Sequence, residues 1–404
     1  MQSGRRLRIL CITPGVPFAG GGFARGMMRG DLVALSHIGE VSLASLVIHP
    51  RGFSELDALR SMCRNVVGWT PPNLKTFLHR VYYKGLFKSL SLLEGYPVDL
   101  YYTRWGGFRD ILRKLPRVDV VYVGYRHMAC YLPVLDARFK VIRDGGARFS
   151  QALQMAEQAR CLRNWYLRWI ARRLMDSQVL LLNYGDYVVV PSHVDKHNLL
   201  SLGRKLPPVD DFPGFFNVEG ITPCYEAEEE HSMFYLGSMS FPPNVDAVVY
   251  LAKCIFPLIK RQVPDVKLWI IGHSPASDVQ RLHNGKDIIV TGFVEDVGEY
   301  ISRFAVGVFP LRFGVGVKGK IIETTAYGKP VVTTKMGITG MSYVPGEDLL
   351  VGDTPEEIAE HTVKLLVDRR FRYHIAVNGR HRAMADYSIS RGIEEWRRVI
   401  KANL

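Results

Sequence analysis

The chain has 404 residues, of which 47% are hydrophobic and 23% charged, as is typical of a globular protein with more than one hydrophobic core. It has no apolar run of about 18 residues, which excludes a membrane-spanning helix, and its six scattered cysteines include no CxxC pair, which favours free thiols in a reducing compartment. The net charge of +13 is uneven, because residues 1–205 carry 30 Lys and Arg against 14 Asp and Glu, whereas residues 206–404 carry 22 against 25. We therefore expect a two-domain cytoplasmic protein whose first half meets an anionic partner.

The first half begins with a strand, "RLRILCITPG", followed by a glycine-rich loop and a helix in "FAGGGFARGMMRGDLVALS". Further strands are predicted in "VSLASLVI", "VDVVYVGY", "FKVIRDG" and "DYVVVPS". Residues 73–90 and 159–174 mix Lys and Arg with Phe, Tyr and Trp at helical spacing. Three interpretations of these basic stretches stay open: helices lying on anionic lipid, a single-stranded nucleic-acid groove, or core aromatics with solvated arginines.

The second half follows a Pro-rich, acidic segment, Pro207 to Glu230, which we interpret as an interdomain linker. "PPNVDAVVYLAKCIFPLIKRQVPD" predicts an amphipathic helix with one apolar face, made of Val245, Val248, Leu251, Ile255 and Leu258. Strands in "KLWIIG", "DIIVTG", "AVGVFPL" and "PVVTT" then alternate with helices in "VEDVGEYISRF" and "KGKIIETTAYG". This alternation predicts a parallel sheet covered on both faces, with the last segment, "YSISRGIEEWRRVIKANL", left over as a helix.

Glycine-rich loops follow three of the predicted strands, in "GVPFAGGGFARG", "RFGVGVKGK" and "KMGITGM". Ligands of open parallel sheets bind at the carboxyl ends of the strands, where backbone amides can hold phosphate. In the second loop Lys318 and Lys320 stand at a helix start, a position that normally prefers anions, so an external anion would explain them. Lys320 and Glu323 are also spaced as a surface ion pair, and the sequence leaves both interpretations open.

The second half resembles the donor-binding domain of the retaining family-four glycosyltransferases. Four stretches carry the resemblance, roughly over residues 233 to 387: "YLGSMSFPPNVDAV", "IIVTGFVEDVGEYI", "PLRFGVGVKGKIIETTAYGKPVV" and "PGEDLLVGD". The resemblance implies the GT-B fold, an α/β architecture of two doubly wound Rossmann-like domains that face each other across a cleft. It implies domains at 1–212 (acceptor) and 213–385 (donor), with a C-terminal helix at 386–404 that packs back on the first domain.

The resemblance assigns roles in the donor domain. Glu323 matches the second glutamate of the family's paired-glutamate signature and would bind the donor ribose, whereas Val315 stands where the first glutamate is expected. Arg312, Gly316 and Lys320 match an R-x₃-G-x₃-K variant in which the cations neutralise the donor diphosphate, with Lys318 as a helper. The family's usual arginine is replaced by Ser238. The remaining expected contacts are the base at Val294 and the phosphate or sugar at Ile338, Thr339 and Gly340.

In the first domain the resemblance is more diffuse. The loop with Gly20, Gly21 and Gly22 would face the donor phosphates, and Asp144 stands where the family often has a histidine near the reacting sugar. Asp144 is the catalytic candidate beside Lys320, although a helix-capping role is equally compatible with its position. Arg148 and His127 are candidates for the acceptor side.

The resemblance thus implies a glycosyltransferase that moves a sugar from a nucleotide-diphosphate-sugar to a glycan or lipid-linked acceptor with retention, in cell-surface polysaccharide biosynthesis. The nucleotide-sugar is a co-substrate; no cofactor and no metal are expected, and nucleic acid is not an expected partner. We expect a cytoplasmic protein that is peripheral at the inner face of an anionic membrane. A sugar-nucleotide epimerase with the same donor site and a non-catalytic two-domain binding protein are the alternatives.

Overall fold

The computed structural model describes residues 6–17, 23–47, 52–70, 106–146, 148–157, 160–226, 229–314 and 316–404. The chain divides into two compact units: the first comprises residues 1–216 and 389–404, and the second comprises residues 217–388. Each unit contains one parallel β-sheet with helices, as the alternating pattern of the sequence predicts. The observed divisions after residues 216 and 388 compare with predicted divisions after 212 and 385. No described helix is long and apolar enough to cross a membrane.

The sheet of the first unit has seven parallel strands in the order β3-β2-β1-β4-β5-β6-β7. The central strands are buried along almost their whole length, which explains their continuous Val and Ile runs. The strands are β1 (Leu7–Thr13), β2 (Gly39–Leu46), β3 (Asn65–Trp69), β4 (Val118–Val123), β5 (Ala137–Arg143), β6 (Tyr187–Val190) and β7 (Val209–Asp211). The helices are α1 (Phe23–Ser36), α2 (Gly52–Asp57), α3 (Gly106–Arg113), a 3₁₀ helix (Arg126–Val134), α4 (Arg148–Glu157), α5 (Cys161–Leu182), α6 (His193–Leu200) and the C-terminal helix (Ile389–Asn403).

The C-terminal helix belongs to the first unit because a buried polar network fixes it there. Asp31 on α1 and Arg143 at the end of β5 are both fully buried and form an ion pair at 3.1 Å. Asp31 also accepts hydrogen bonds from Tyr122 Oη at 2.7 Å and from Trp396 Nε1 of the C-terminal helix at 2.8 Å. Arg143 donates further to the carbonyl oxygens of Phe212 and Pro213, so its charge is fully engaged. Such complete pairing is what a buried ion pair requires.

The predicted linker, Pro207 to Glu230, is wrong at both ends, since it begins with a strand of the first unit and its last two residues, Glu229 and Glu230, start β8 (Glu229–Leu236). Residues 209–211 form edge strand β7, which pairs with β6, and Phe212 and Phe215 are buried in the first unit's core. Phe212 meets the Trp396 ring edge-on, with centroids 5.0 Å apart. The sequence did not predict this strand, because its composition is acidic and Pro-rich. The charges of Asp210 and Asp211 are accommodated by ion pairs with Lys196 and Arg398, which lie elsewhere in the chain.

The sheet of the second unit has six parallel strands in the order β10-β9-β8-β11-β12-β13. These are β8 (Glu229–Leu236), β9 (Lys267–Ile271), β10 (Ile288–Gly292), β11 (Phe304–Phe309), β12 (Val331–Thr333) and β13 (Leu350–Val351). The α-helices are α7 (Pro242–Tyr250), α8 (Phe256–Gln262), α9 (Ser277–Gln280), α10 (Val297–Arg303), α11 (Gly319–Ala326), α12 (Lys335–Ile338), α13 (Pro355–Val367) and α14 (Arg369–Tyr387). Local signals fix some of the helix starts: Thr354 and Glu357 form a capping box before α13, with Pro355 as its first residue.

The long helix predicted after β8 is interrupted by a π-helical turn at Leu251–Ile255. A π turn accommodates one extra residue, which rotates the following face. Phe256 and Ile259 are therefore buried in α8, and the prediction that Leu258 lies on the buried face is wrong, because it is only partly buried. Of the other residues on the predicted face, Val248, Leu251 and Ile255 are fully buried, whereas Val245 is only partly buried.

Candidate functional site

The switch point of the second sheet lies between β8 and β11. Chain order runs from β8 outward through β9 and β10, and then returns to β11 on the other side of β8. Two loops consequently leave the carboxyl edge side by side, residues 237–241 after β8 and, after β11, a loop whose described residues are 310–314 and 316–318. Ligands of open parallel sheets bind at this place. The described groups that converge there come from β8, α7 and the start of α11.

Lys320 is the centre of this convergence. Its ammonium donates to Asn244 Oδ1 at 2.6 Å and to Tyr235 Oη at 3.0 Å. The same ammonium lies 4.3 Å from the centroid of the Tyr235 ring and 5.9 Å from that of Phe309. No carboxylate lies within ion-pair distance of Lys320 in the described parts of the chain, so the cation is held by neutral groups alone. The surface ion pair with Glu323 that the spacing allowed is not formed.

Neutral surroundings shift the acid–base equilibrium of Lys320. Although part of the side chain reaches the surface, desolvation and the neighbouring charge of Lys318 lower the pKa of Lys320 from 10.5 to about 7. Burial disfavours the charged form, and a second cation adds to the effect. An anion brought next to Lys320 would reverse both contributions, which makes this position receptive to a phosphate group.

Glycine at position 237 makes the contact between these groups possible. A Cβ atom at Gly237 would lie 2.5 Å from Asn244 Nδ2 and 3.0 Å from Lys320 Nζ. Asn244 Nδ2 donates to the carbonyl oxygen of Ser238 at 2.9 Å, which fixes the orientation of the amide. The loop after β8 is thus fitted to the Lys320 ammonium and leaves no room for a side chain there.

Glu323 lies one turn further along α11 and its side chain is exposed. Desolvation by the surrounding protein raises the pKa of Glu323 above its ordinary value. The carboxyl group contacts water on its exposed side and so keeps part of its hydration. Glu323 therefore presents two acceptor oxygens on the same helix as the Lys320 ammonium, as the ribose assignment requires.

The other predicted cations of this loop are engaged locally. Arg312 forms a two-pronged pair with Asp246 of α7, with Nε to Oδ2 at 2.9 Å, and its guanidinium stacks over the Tyr250 ring at 4.5 Å. The pair with Asp246 raises the pKa of Arg312. Lys318 precedes α11 and donates to the Gly316 carbonyl oxygen at 2.6 Å. Arg312 already has a carboxylate partner, whereas Lys320 has none among the described residues.

The remaining predicted donor contacts lie in loops at the same edge of the sheet. Val294 is half-buried in the loop between β10 and α10, and the neighbouring Phe293 is 71% exposed. Ile338 ends the short helix α12, whose start is capped by the Thr334 hydroxyl, and Thr339 and Gly340 follow it. The phosphate or sugar role of these three residues stays a prediction.

Asp144 of the first unit follows β5 and is fully buried. Arg126 NH1 donates to Asp144 Oδ1 at 2.6 Å, and Gln178 Nε2 donates to the other carboxylate oxygen. Arg126 also donates to the Gly146 carbonyl oxygen at 2.8 Å. Both oxygens of the Asp144 carboxylate are therefore hydrogen-bonded inside the unit, to Arg126 and Gln178. A catalytic role of Asp144 would require at least one of these contacts to open.

Three other first-unit candidates are located less fully. His127 lies in the 3₁₀ helix and its ring contacts that of Tyr125, with centroids 4.8 Å apart. Arg148 begins α4, and its side chain, like Gly20, Gly21 and Gly22, lies outside the described residues, as does the basic stretch at residues 73–90. No cluster of His, Cys, Asp and Glu suited to a metal ion occurs among the described residues.

Sequence reasoning did not identify Tyr235, Asn244 or Arg126. Tyr235 is a buried residue of a strand, and Asn244 lies 76 positions from Lys320. In the sequence, Asn244 stands among apolar residues at a predicted helix start, "PPNVDAVV". A buried amide needs a hydrogen-bond partner, so this position was the one sequence signal for Asn244.

Sequence comparison with known proteins gives matches that cover about a third of the chain. Residues 230–368 match the model of the family described as "Glycosyl transferases group 1". An uncharacterized 44.6 kDa protein in the cps region of Klebsiella pneumoniae is 21% identical over 140 residues, which are 33% of this chain and 36% of that protein. That match thus spans little more than a third of the relative's length.

Solved structures resemble the whole chain. Anabaena HepE, in complex with UDP-glucose, has a TM-score of 0.65 at 12% identity and covers 98% of this chain and 100% of its own. Sucrose-phosphate synthase from Thermosynechococcus elongatus has a TM-score of 0.65 at 17% identity, covering 98% and 99%. A Staphylococcus aureus TarM mutant in complex with Fondaparinux, alpha-GlcNAc-glycerol and UDP has a TM-score of 0.66 at 10% identity, covering 98% and 99%.

At these identities the likeness concerns the fold, and it confirms the predicted class: two parallel α/β sheets, of seven and six strands, in the GT-B type of the glycosyltransferases. Residues 230–368, which carry Lys320, Asn244 and Glu323, are the segment that matches the group 1 glycosyltransferase family.

Proposed function

We propose that the protein is a glycosyltransferase that uses a nucleotide-diphosphate-sugar as donor and retains the anomeric configuration of the transferred sugar. The observation that carries the proposal is the Lys320 ammonium, which neutral Tyr235 and Asn244 hold at the switch point of the second sheet. A diphosphate supplies the anion that this cation lacks. The exposed carboxylate of Glu323, on the same helix, supplies acceptors for the two ribose hydroxyls.

In this mechanism the nucleoside diphosphate is the leaving group. Negative charge grows on its terminal phosphate as the bond to the sugar breaks, and a fixed cation stabilises that charge most in the transition state. Lys320, with backbone amides of the loop at Ile338, Thr339 and Gly340, would supply this stabilisation without a metal ion. Because the desolvated ammonium interacts with little competing water, its effect on the leaving group is larger than at an open surface.

The acceptor is proposed to be a glycan or a lipid-linked glycan, in cell-surface polysaccharide biosynthesis. The Klebsiella relative is named for the cps region, which supports this assignment. HepE and TarM are named in complexes with UDP or UDP-glucose, which favours UDP as the first nucleotide to test. Arg148 and His127 of the first unit remain the acceptor-side candidates.

We also propose that the protein binds the inner face of an anionic membrane through α5. Trp165 of this helix is 67% exposed, and Arg168, Arg172 and Arg173 near it are exposed. Arginines beside an exposed indole suit the interface of anionic lipid. In vesicle sedimentation, Trp165→Ala with Arg172→Ala should reduce binding to vesicles containing phosphatidylserine, whereas neutral phosphatidylcholine vesicles should bind neither protein. Equal binding of both proteins to the anionic vesicles would contradict the proposal.

Product analysis separates the transferase from the two alternatives. A transferase releases nucleoside diphosphate and needs an acceptor for sustained turnover, whereas an epimerase changes the donor sugar when incubated with donor alone. A binding protein does neither. We expect Lys320→Met to abolish nucleoside diphosphate release from an active donor–acceptor mixture, while a Lys401→Met control in the C-terminal helix, at an exposed position, retains it.

A further inference from the structure

We propose that Asn244 is a positioning residue, whose neutral amide holds the Lys320 ammonium in place while leaving its positive charge for a nucleoside diphosphate. The inference rests on the proposed function, because it assigns a role to a partner of the same cation. The side chain at position 244 is an amide. A carboxylate of nearly the same shape would bind the Lys320 ammonium more strongly and would neutralise its charge.

The hydrogen bonds around Asn244 form a closed set. Tyr235 Oη donates to Asn244 Oδ1 at 3.0 Å, and Lys320 Nζ donates to both of these oxygens. Asn244 Nδ2 donates to the Ser238 carbonyl oxygen, so the amide cannot turn without losing that bond. An ammonium has three donors. Two of those of Lys320 have acceptors in the described chain, and one is left for a ligand.

The same helix provides the opposite arrangement two residues later. Asp246 of α7 is a carboxylate, and Arg312, the other cation of the motif, forms an ion pair with it. Helix α7 therefore contributes a carboxylate to Arg312 and a neutral amide to Lys320. The contrast means that the Arg312 charge is already neutralised, whereas the Lys320 charge is not.

The charged groups near Lys320 are few. Among the described residues, Lys318 immediately precedes α11, Glu323 lies one turn after Lys320 on α11, and Asp246 acts on the Tyr235 hydroxyl from α7. None of the carboxylates is within ion-pair distance of the Lys320 ammonium in the described structure. A carboxylate at position 244 would therefore lie closer to the Lys320 ammonium than any of these carboxylates does, and it would neutralise the ammonium charge.

The test is UDP affinity of Asn244→Asp, measured by calorimetry at pH 6.5 and pH 8.5 on the full chain. We expect the dissociation constant to rise by about tenfold or more at pH 6.5, because the new carboxylate neutralises Lys320 and repels the diphosphate. The ratio of the two dissociation constants should shrink at pH 8.5, where wild-type Lys320 has lost most of its proton and Lys320 of the variant has not.

Two further variants separate charge from disruption. Tyr235→Phe removes one of the two acceptors of the Lys320 ammonium without adding charge, so it should weaken UDP binding at pH 6.5 by less than Asn244→Asp does. Asn284→Asp adds the same charge at an exposed position of the second unit, where the side-chain oxygen caps a turn, and should leave the affinity unchanged. The Asn244→Asp protein without ligand should unfold within about 3 °C of wild type, since an ion pair with Lys320 offsets the lost Ser238 hydrogen bond.

The outcomes are distinguishable. If Asn244→Asp binds UDP as tightly as wild type at both pH values, or if Tyr235→Phe costs as much as Asn244→Asp, Asn244 does not reserve the charge. A ligand-free midpoint that falls by more than about 10 °C in Asn244→Asp would also contradict the proposal, because the expected ion pair would then be absent. If the wild type itself binds no nucleoside diphosphate, the proposed function fails and not merely the role of Asn244.

Discussion

Removal of the Asp31 carboxylate should destabilise the first unit severely. Asp31 is completely buried and accepts hydrogen bonds from Arg143, Tyr122 and Trp396, which lie on three different elements. Asp31→Ala leaves the fully buried Arg143 guanidinium without its carboxylate, and breaking a buried pair in this way costs about 3–5 kcal/mol. Trp396→Phe removes one donor to the Asp31 carboxylate but keeps the Arg143 pair, so the lost hydrogen bond should cost about 1.5–3 kcal/mol, less than Asp31→Ala.

The loss is measured by hydrogen exchange of the amides in β1 and β4, which report opening of the first unit independently of the second. Asp57→Ala is the matched control, because Asp57 and its partner Arg60 are both exposed. That pair is worth about 1 kcal/mol or less. If Asp31→Ala lowers the free energy of opening no more than Asp57→Ala does, the network does not fix the C-terminal helix and our account of the first unit is wrong.

Three other predictions concern the second unit. Gly237→Ala should weaken UDP binding by about tenfold or more with the overall fold retained, because its Cβ would displace Asn244 and Lys320; calorimetry and circular dichroism on one sample test this, and unchanged affinity would contradict it. UDP binding should take up a proton at pH 8 and almost none at pH 6, since the pKa of Lys320 is about 7 without ligand and rises next to a diphosphate; equal binding enthalpies in two buffers of different ionisation enthalpy at pH 8 would refute this. Arg312→Met should reduce UDP affinity less than Lys320→Met does, because Asp246 already neutralises Arg312, and a larger loss for Arg312→Met would reverse our ranking of the two cations.

The sign of the Lys320 shift also bears on stability. Its pKa is lower in the folded chain than in the unfolded one, so the unfolded chain binds more protons between about pH 7 and the ordinary lysine value. Stability without ligand therefore rises with pH across that window as far as this group is concerned. Bound diphosphate removes the effect by restoring the proton.

The sequence predicted the regular parts of the fold because periodicity and glycine-containing turns are local signals. The strands at Val118–Val123 and Phe304–Phe309 have continuous apolar runs, and both lie in the middle of their sheets. Edge strand β7 was missed, since its short acidic sequence is stabilised by Lys196 and Arg398 from elsewhere in the chain. The π turn after α7 was missed because periodicity assumes a constant helical rotation.

Of the candidate site, the sequence predicted only the charged residues, which are the cations of the loop before α11, Lys320 and Glu323. Lys320 and Glu323 follow from a motif and from their spacing on one helix. Their surroundings are set by tertiary contacts that no local pattern encodes: Asn244 reaches Lys320 from another helix, and Asp246 captures Arg312. Tertiary contacts also change the interpretation of Asp144. Its position directly after a strand indicates a ligand contact, but Arg126 and Gln178 donate hydrogen bonds to its carboxylate inside the unit.

The central claim is that the Lys320 and Glu323 face of α11 binds a nucleoside diphosphate. It is tested most directly by thermal unfolding of the full chain with millimolar UDP, GDP, ADP and dTDP, repeated on Glu323→Ala and Lys320→Met. Binding to the folded state raises the unfolding midpoint by mass action. We expect one nucleotide to raise the midpoint of the wild type and both variants to lose this response. If no nucleotide changes the wild-type midpoint, or if both variants respond as the wild type does, the diphosphate site is not on this helix.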